Sequence, residues 1–304
     1  MFEQMLKLRL GVLEEIPGFR NDASMTKILG DYFAAIYKYR QGEIAFLEKE
    51  GEWLAYVMAS RFYHRFYGSV LTQFVLDFKP EFSDEAVPMI RNFIESYAKS
   101  EQFSLVELYA PCFALVEGLA SNWRIAATSY GGDPALSLKE AKTLAKKDAF
   151  KDNDIELVTA DDPEQVDRIM ALKIEAFKEN PELCWYWNCD QYQTQEFMRL
   201  MNSLDRQETF LLKKKSRIVG YGGINFDAHN AYWGPTSGVD LVLSPKLRGK
   251  GLSYPLYAHL FEAMIARGAK FYKGATHNPA VIKVASYFNR WPLYYQLLPK
   301  DLKI

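Results

Sequence analysis

The sequence predicts an α/β protein built as two domains of similar plan, residues 1–150 and 151–304. Three observations lead there. From residue 155 onward, strand-like and helix-like patterns follow one another as β, α, α, β, β, β, α, β, α, β. The first half repeats that order of elements without repeating the sequence. A chain of 304 residues, 49% apolar and 15% aromatic, has enough side chains for two hydrophobic cores.

The opening stretch carries Phe2, Met5, Leu6, Leu13 and Ile16 at helical spacing among charges, which makes it an amphipathic helix and neither a signal peptide nor an anchor. A helix at Met25 to Tyr39 precedes strands at Glu43 to Glu48, Trp53 to Phe62 and Leu71 to Phe78. A helix at Asp84 to Lys99, a strand at Ser104 to Tyr109, a short apolar helix and the strand NWRIAAT close the half. The segment TSYGGDPALSLKEAKTLAKKD, rich in turn residues and then in lysine, reads as a connector. In the second half, the strand IELVT leads to an amphipathic helix at Pro163 to Lys178, then a loop at Cys184 to Gln191 and a helix at Gln191 to Leu204. TFLLKK and RIVGYGGINF form a hairpin with a solvated lysine-rich tip. A strand at Val239 to Leu243 is followed by a glycine turn and a helix bearing Leu252, Leu256, Leu260 and Met264. Pro255 has no N–H to give and fits only a first turn, which starts this helix near Gly251. A strand at Lys270 to Gly274, a helix at Pro279 to Phe288 and a strand at Leu293 to Leu298 complete the chain.

Charge and cysteine content narrow the function. Lys and Arg total 37 against 38 Asp and Glu, so no basic field calls for nucleic acid or an anionic membrane. No apolar run reaches the roughly 18 residues of a membrane helix. The three cysteines, Cys112, Cys184 and Cys189, are an odd number that fits a reducing, cytoplasmic setting, and they lack the spacing of a metal site.

The stretch SPKLRGKGLSYPL, Ser244 to Leu256, sets two glycines, an arginine and two lysines between a strand and a helix. Glycine lets backbone approach a ligand, and the first amides of a helix have no internal partner, so the turn suits a phosphate. A P-loop fails because Gly251 follows Lys250, and a dinucleotide fingerprint fails because Tyr254 stands where glycine is needed. The order of elements and Arg248-Gly249-Lys250-Gly251-Leu252-Ser253 resemble the GNAT superfamily of acyl-CoA-dependent N-acyltransferases, whose motif reads Arg/Gln-x-x-Gly-x-Gly/Ala, with serine here in the last place. The resemblance covers residues 155 to 298.

It implies two GNAT-like domains, each a mixed, mostly antiparallel sheet flanked by helices. It also implies acetyl-CoA or a related acyl-CoA held by Leu241, Val242, Leu243, Arg248, Gly249, Lys250, Gly251, Leu252, Ser253 and Asn278. Aligning the two halves through Pro80 and Pro245 sets Ser83, Asp84, Glu85 and Ala86 against Arg248 to Gly251. Two carboxylates there repel a pyrophosphate, so the first copy is expected to have lost the cofactor and to serve as scaffold or acceptor wall. Tandem chains of this kind include mycothiol synthase and the aminoacyl-transferring Fem proteins.

Acyl transfer needs a neutral amine, donors for the carbonyl oxygen and a proton for the departing thiolate. By the resemblance, the amide near Val242 meets the oxygen, and Asp240 on the same face of the strand is a candidate base; its other reading is a strand-end aspartate bonded to a turn. The proton donor is open: the place where family members often carry tyrosine is Ala285, Ser286 is adjacent, and Tyr287 lies about 200° round a regular helix. Trp185, Tyr186, Trp187 and His277 are candidate acceptor contacts, or an aromatic plug and a structural histidine. The expected partner is a small-molecule or protein amine, on a monomer or homodimer. The rival readings are an acyl-CoA sensor without turnover and an aminoacyl transferase.

Overall fold

A computed structural model describes residues 2–40, 43–64, 69–98, 104–179, 196, 199–200, 203, 207–276 and 278–301. They fall into two compact units that are not separated by a single cut. Unit 1 comprises Met1–Ser129, Ala231–Trp233 and Pro292–Ile304, and unit 2 comprises Tyr130–Asn230 and Gly234–Trp291. A boundary at residue 150 assigns 130–150, 231–233 and 292–304 the other way.

Unit 1 holds helices α1 (Phe2–Glu14) and α2 (Ala23–Arg40), strands β1 (Ile44–Lys49), β2 (Glu52–His64) and β3 (Ser69–Phe78), helix α3 (Ser83–Ala98), strand β4 (Ser104–Tyr109), the short helix α4 (Ala114–Leu119) and most of β5 (Trp123–Gly132). Its strand order is β1-β2-β3-β4-β11-β5, where β11 is Arg290–Pro299. β1, β2 and β3 pair antiparallel, β3 and β4 parallel, and β11 pairs antiparallel with β4. The final strand, expected to complete the second half, therefore pairs in unit 1. One face of this sheet buries Phe74, Leu76, Ile90, Val106 and Leu115 against α3 and α4, and the other buries Met5, Leu8, Phe33 and Tyr56 against α1 and α2.

In unit 2 the segment expected to be a connector contains helix α5 (Pro134–Leu144). Asp133 caps it, its Oδ1 accepting from Ala135 N at 2.7 Å and Leu136 N at 3.4 Å, with Pro134 at the first helical position. Then come β6 (Ile155–Thr159), α6 (Gln165–Glu179), β7 (Glu208–Lys214), β8 (Arg217–Asp227), β9 (Thr236–Leu243), α7 (Ser253–Ala266), β10 (Phe271–Thr276) and α8 (Pro279–Ala285). The strand order is β10-β9-β8-β7-β6, antiparallel except for the parallel pair β9 and β10. The lysine-rich hairpin is as expected, turning at Lys215 and Ser216, with Lys215 at a φ of 56°. Leu256, Leu260 and Met264 form a fully buried stripe of α7 beneath which Gly222 leaves just enough room, since a Cβ there would meet Leu260 Cδ1 at 2.9 Å. Truncating any one of these three to alanine should cost about 2–5 kcal/mol.

The two units share a hydrogen-bonding frame as well as an order of elements. Lys79 donates its N–H to Leu54 C=O, and Ser244 donates its N–H to Val219 C=O, both at 2.9 Å. These are the same place when Pro80 is set on Pro245. Tyr56 then faces Asp77 across β2 and β3 as Tyr221 faces Val242 across β8 and β9.

Candidate active site

After β9 the chain makes one tight turn at Pro245–Leu247, anchored by buried Leu247, and enters the glycine loop. Gly249 and Gly251 have φ of +75° and +74°, and a Cβ on either would meet nothing within 4 Å. Glycine is thus required by the backbone conformation and not by crowding, and the space before the loop is open. α7 follows with no side chain capping its first turn. Pro255 stands third in the helix and offers no N–H, so Leu252, Ser253 and Tyr254 carry the leading amides. Such a helix start, beside Lys250 and Arg248, has the donors and charge that suit an anion. The Arg248 guanidinium folds back so that Nε donates to Leu243 C=O at 3.3 Å.

The strand leading into the cradle opens toward one side. Parallel pairing of β9 with β10 covers Thr236, Ser237 and Gly238 only, and Val239–Leu243 runs on beyond it. The pairing of β9 with β8 is in continuous register, and the next bond in line is Ser244 N–H to Val219 C=O. Alternation in an antiparallel ladder then turns the Val242 N–H toward β8 and those of Leu241 and Leu243 toward the side that β10 leaves. The Val242 amide, the one expected to meet the carbonyl oxygen, is thus turned toward β8, and the Leu243 amide faces the side that β10 leaves.

Asp240 shares the α6 side of the sheet with Val242 and Tyr221, as alternation predicts. Its Oδ2 accepts from Tyr221 Oη at 2.7 Å and forms an ion pair with Lys173 of α6. Burial pushes this carboxyl up, but the Lys173 ammonium, the Tyr221 hydroxyl and the Leu241 amide outweigh it and hold the group below the usual carboxylate range. A carboxylate so stabilised is a weak base. Lys173 is itself buried, at 9% exposure, with Nζ 5.6 Å from the centre of the Tyr221 ring.

Tyr287 lies just past the end of α8. α8 ends at Ala285, and the chain tightens so that Tyr287 N–H donates to Val284 C=O, which takes the 200° argument out of force. The Tyr287 ring, 44% exposed, meets Tyr254 of the first turn of α7 edge-on, with centroids 6.5 Å apart. Ser286 Oγ donates to Lys283 C=O and so ties off the end of α8. Asn278 caps the start of α8, Oδ1 accepting from Ala280 N at 2.9 Å. His277, Trp185, Tyr186 and Trp187 lie outside the described residues.

Sequence reasoning missed Lys173, Tyr221 and Tyr254. Lys173 left a signal: it stands four places after Ile169 and next to Leu172, inside the apolar stripe of its helix, where a lysine needs a buried partner.

In unit 1 the matching strand also outruns its parallel neighbour, since β3 pairs with β4 from Thr72 to Val75 only. There the exposed carbonyls are taken. Arg9 Nη2 donates to Leu76 C=O and Cys112 Sγ to Phe78 C=O, each at 3.5 Å. Arg9 Nε also bonds Asp77 at 2.6 Å, and the Tyr56 hydroxyl donates to the same carboxylate oxygen. Among the described residues no group of three His, Cys, Asp or Glu is placed to hold a metal ion, and no helix is long and apolar enough to cross a membrane.

No curated protein matches the chain at a significant level. Among solved structures, the chain resembles a fungal GCN5-related glucosamine N-acetyltransferase region within a multi-domain GH3 β-N-acetylglucosaminidase, with TM-score 0.52, 11% identity and 98% of this chain covered. The chain spans only 37% of that protein's length. It also resembles a GCN5-related N-acetyltransferase from Sphaerobacter thermophilus, with TM-score 0.51, 14% identity, and 99% and 93% of the two chains covered. At such identities these likenesses establish the fold. The sequence model of the acetyltransferase (GNAT) family matches residues 169–287, a span running from α6 through the glycine loop to Tyr287. That segment is therefore similar in sequence to the acetyltransferase (GNAT) family.

Proposed function

We propose that this protein is an N-acyltransferase that moves an acetyl or related acyl group from acyl-CoA to a primary amine by direct attack in a ternary complex. The observation that carries the reading is the glycine cradle, in which two left-handed glycines face open space at an uncapped helix start. The residues fit a diphosphate: amides of Gly249 to Ser253 supply donors, and Arg248 and Lys250 supply charge. The bound donor contributes a thioester, an activated acyl group. The chain's own part is to fix it, with the Leu243 amide aimed at the carbonyl oxygen, Tyr254 and Tyr287 lining the cradle, and Asp240 near the open edge of β9.

Unit 1 serves as scaffold in this reading, because Arg9 and Cys112 occupy the strand edge and Asp84 and Glu85 stand in the first turn of α3. The enzyme works in the cytoplasm, where its cysteines stay reduced. A second reading, an acyl-CoA sensor, is favoured by two particulars: Asp240 is held as an anion and Ser286 is committed to its own helix. Calorimetry with acetyl-CoA followed by measurement of free thiol release over a panel of primary amines separates the two. Binding with amine-dependent thiol release supports transfer, binding without release supports the sensor, and no binding refutes both.

A further inference from the structure

We propose that Lys173 is a positioning residue for acyl transfer, holding Asp240 as a fixed anion that accepts a hydrogen bond from the attacking amine without removing its proton. The inference rests on the transferase reading above and assigns roles within that site.

The geometry makes the pair permanent. Lys173 projects from the buried stripe of α6, its ammonium lies over the Tyr221 ring, and it reaches the same Asp240 oxygen that the Tyr221 hydroxyl bonds. Burying a charge is costly unless it is paired, and Asp240 is the partner of the Lys173 ammonium. Among the described residues, the titratable groups acting on Asp240 are Lys173 from α6 and Tyr221 from β8, joined by the Leu241 amide. The Asp240 side chain nonetheless stays 39% exposed, so its carboxylate can meet a ligand.

Unit 1 carries the same three-part arrangement, a cation from its first helix (Arg9), a tyrosine from its second strand (Tyr56) and an aspartate from its third (Asp77). There the strand edge is occupied by Arg9 and Cys112, so a triad of this make-up stands without the chemistry. Its recurrence marks it as a device for fixing helix to strand. In unit 2 the acid stands two residues earlier, in the place of Val75, where it bonds the Leu241 amide, and the Leu243 C=O accepts from Arg248 Nε.

The proton count follows. The acceptor loses one proton to bulk water and arrives as a neutral amine. Its nitrogen bonds the acyl carbon as the carbon–sulfur bond breaks, and the second proton ends on the CoA sulfur. Asp240 takes neither.

Three measurements test this. Carbon-13 NMR of the Asp240 carboxyl, assigned with Asp240→Asn, should give a titration midpoint below about 3.9 in the native protein. It should lie above that value in Lys173→Met and return in Lys173→Arg; equal midpoints in all three overturn the proposal. Thiol release from acetyl-CoA by Asp240→Asn should fall in kcat by about tenfold, the loss of one charge-assisted hydrogen bond, whereas the loss of about 10²–10⁴-fold expected for a general base overturns the proposal. The acid limb of kcat/KM should move with the pKa of the amine supplied, and a limb fixed across amines refutes the role. Should Lys173→Met fail to fold, Lys173→Met/Asp240→Asn removes the stranded charge and is expected to refold; failure of both while Asp240→Asn folds also counts against it. If native protein does not bind acetyl-CoA, the transferase reading falls, and the NMR midpoints still decide the Lys173–Asp240 pairing.

Discussion

Replacing Gly251 probes the cradle most directly. Its φ of +74° costs a residue with a side chain about 1–2 kcal/mol, and the open space around it adds no clash. Gly251→Ala should therefore fold, with its melting temperature lowered by about 2–4 °C per kcal/mol for a unit of this size. The added methyl projects into the space assigned to the diphosphate. If it displaces one charge-assisted hydrogen bond, worth about 1.5–3 kcal/mol, acetyl-CoA affinity drops roughly 10- to 150-fold. Gly251→Asp adds a like charge and should bind more weakly still. Gly268, just past the end of α7, supplies the control: its φ is +83° and a Cβ there also meets nothing within 4 Å. Gly268→Ala bears the same backbone strain away from the cradle and should leave affinity unchanged. Isothermal calorimetry beside thermal unfolding reads both quantities. Equal affinity losses in the two alanine variants, or none in Gly251→Asp, refute the placement.

Further expectations follow from the buried polar groups. Arg9→Met strands Asp77, which is 0% exposed, and should cost about 3–5 kcal/mol by urea unfolding; Arg9→Met/Asp77→Leu should recover most of it, and an equal loss in both shows that the ion pair is not the cause. Burial pushes the Cys112 thiol well up, so alkylation at pH 8 followed by peptide mapping should leave Cys112 unmodified in the folded protein and modify it in urea. Asp240 titrates lower folded than unfolded, so its contribution to stability is present above roughly pH 4 and is lost as pH falls through the folded value. Asp240→Asn should accordingly lose less stability on acidification than the native protein, and parallel pH curves for the two dispute the pairing.

How much was readable in advance depended on range. The loop and the start of α7 were legible because Pro255 and the glycines act locally, through a missing N–H and a positive φ. The hairpin at Lys215 was legible for the same reason. The direction of the Val242 amide was not legible, because it depends on which residue of β8 it faces, a fact fixed by pairing across the sheet. Tyr287 depended on where α8 stops, and helix ends are the least certain part of a pattern. The Asp133-Pro134 start of α5 was in plain view and was read as turn chemistry, which shares its residues with helix caps. The partner of β11 is β4, some 180 residues earlier, and no local signal carries such a pairing.

The interleaving of the two units sets an order on biosynthesis. Residues 292–304 belong to unit 1 yet are translated after every residue of unit 2. Until they emerge, β4 lacks the neighbour that β11 supplies, and its bare backbone is a template for stray strand pairing. Unit 2 can thus be complete before unit 1, and a chain cut near the middle leaves unit 1 with an unsealed sheet edge.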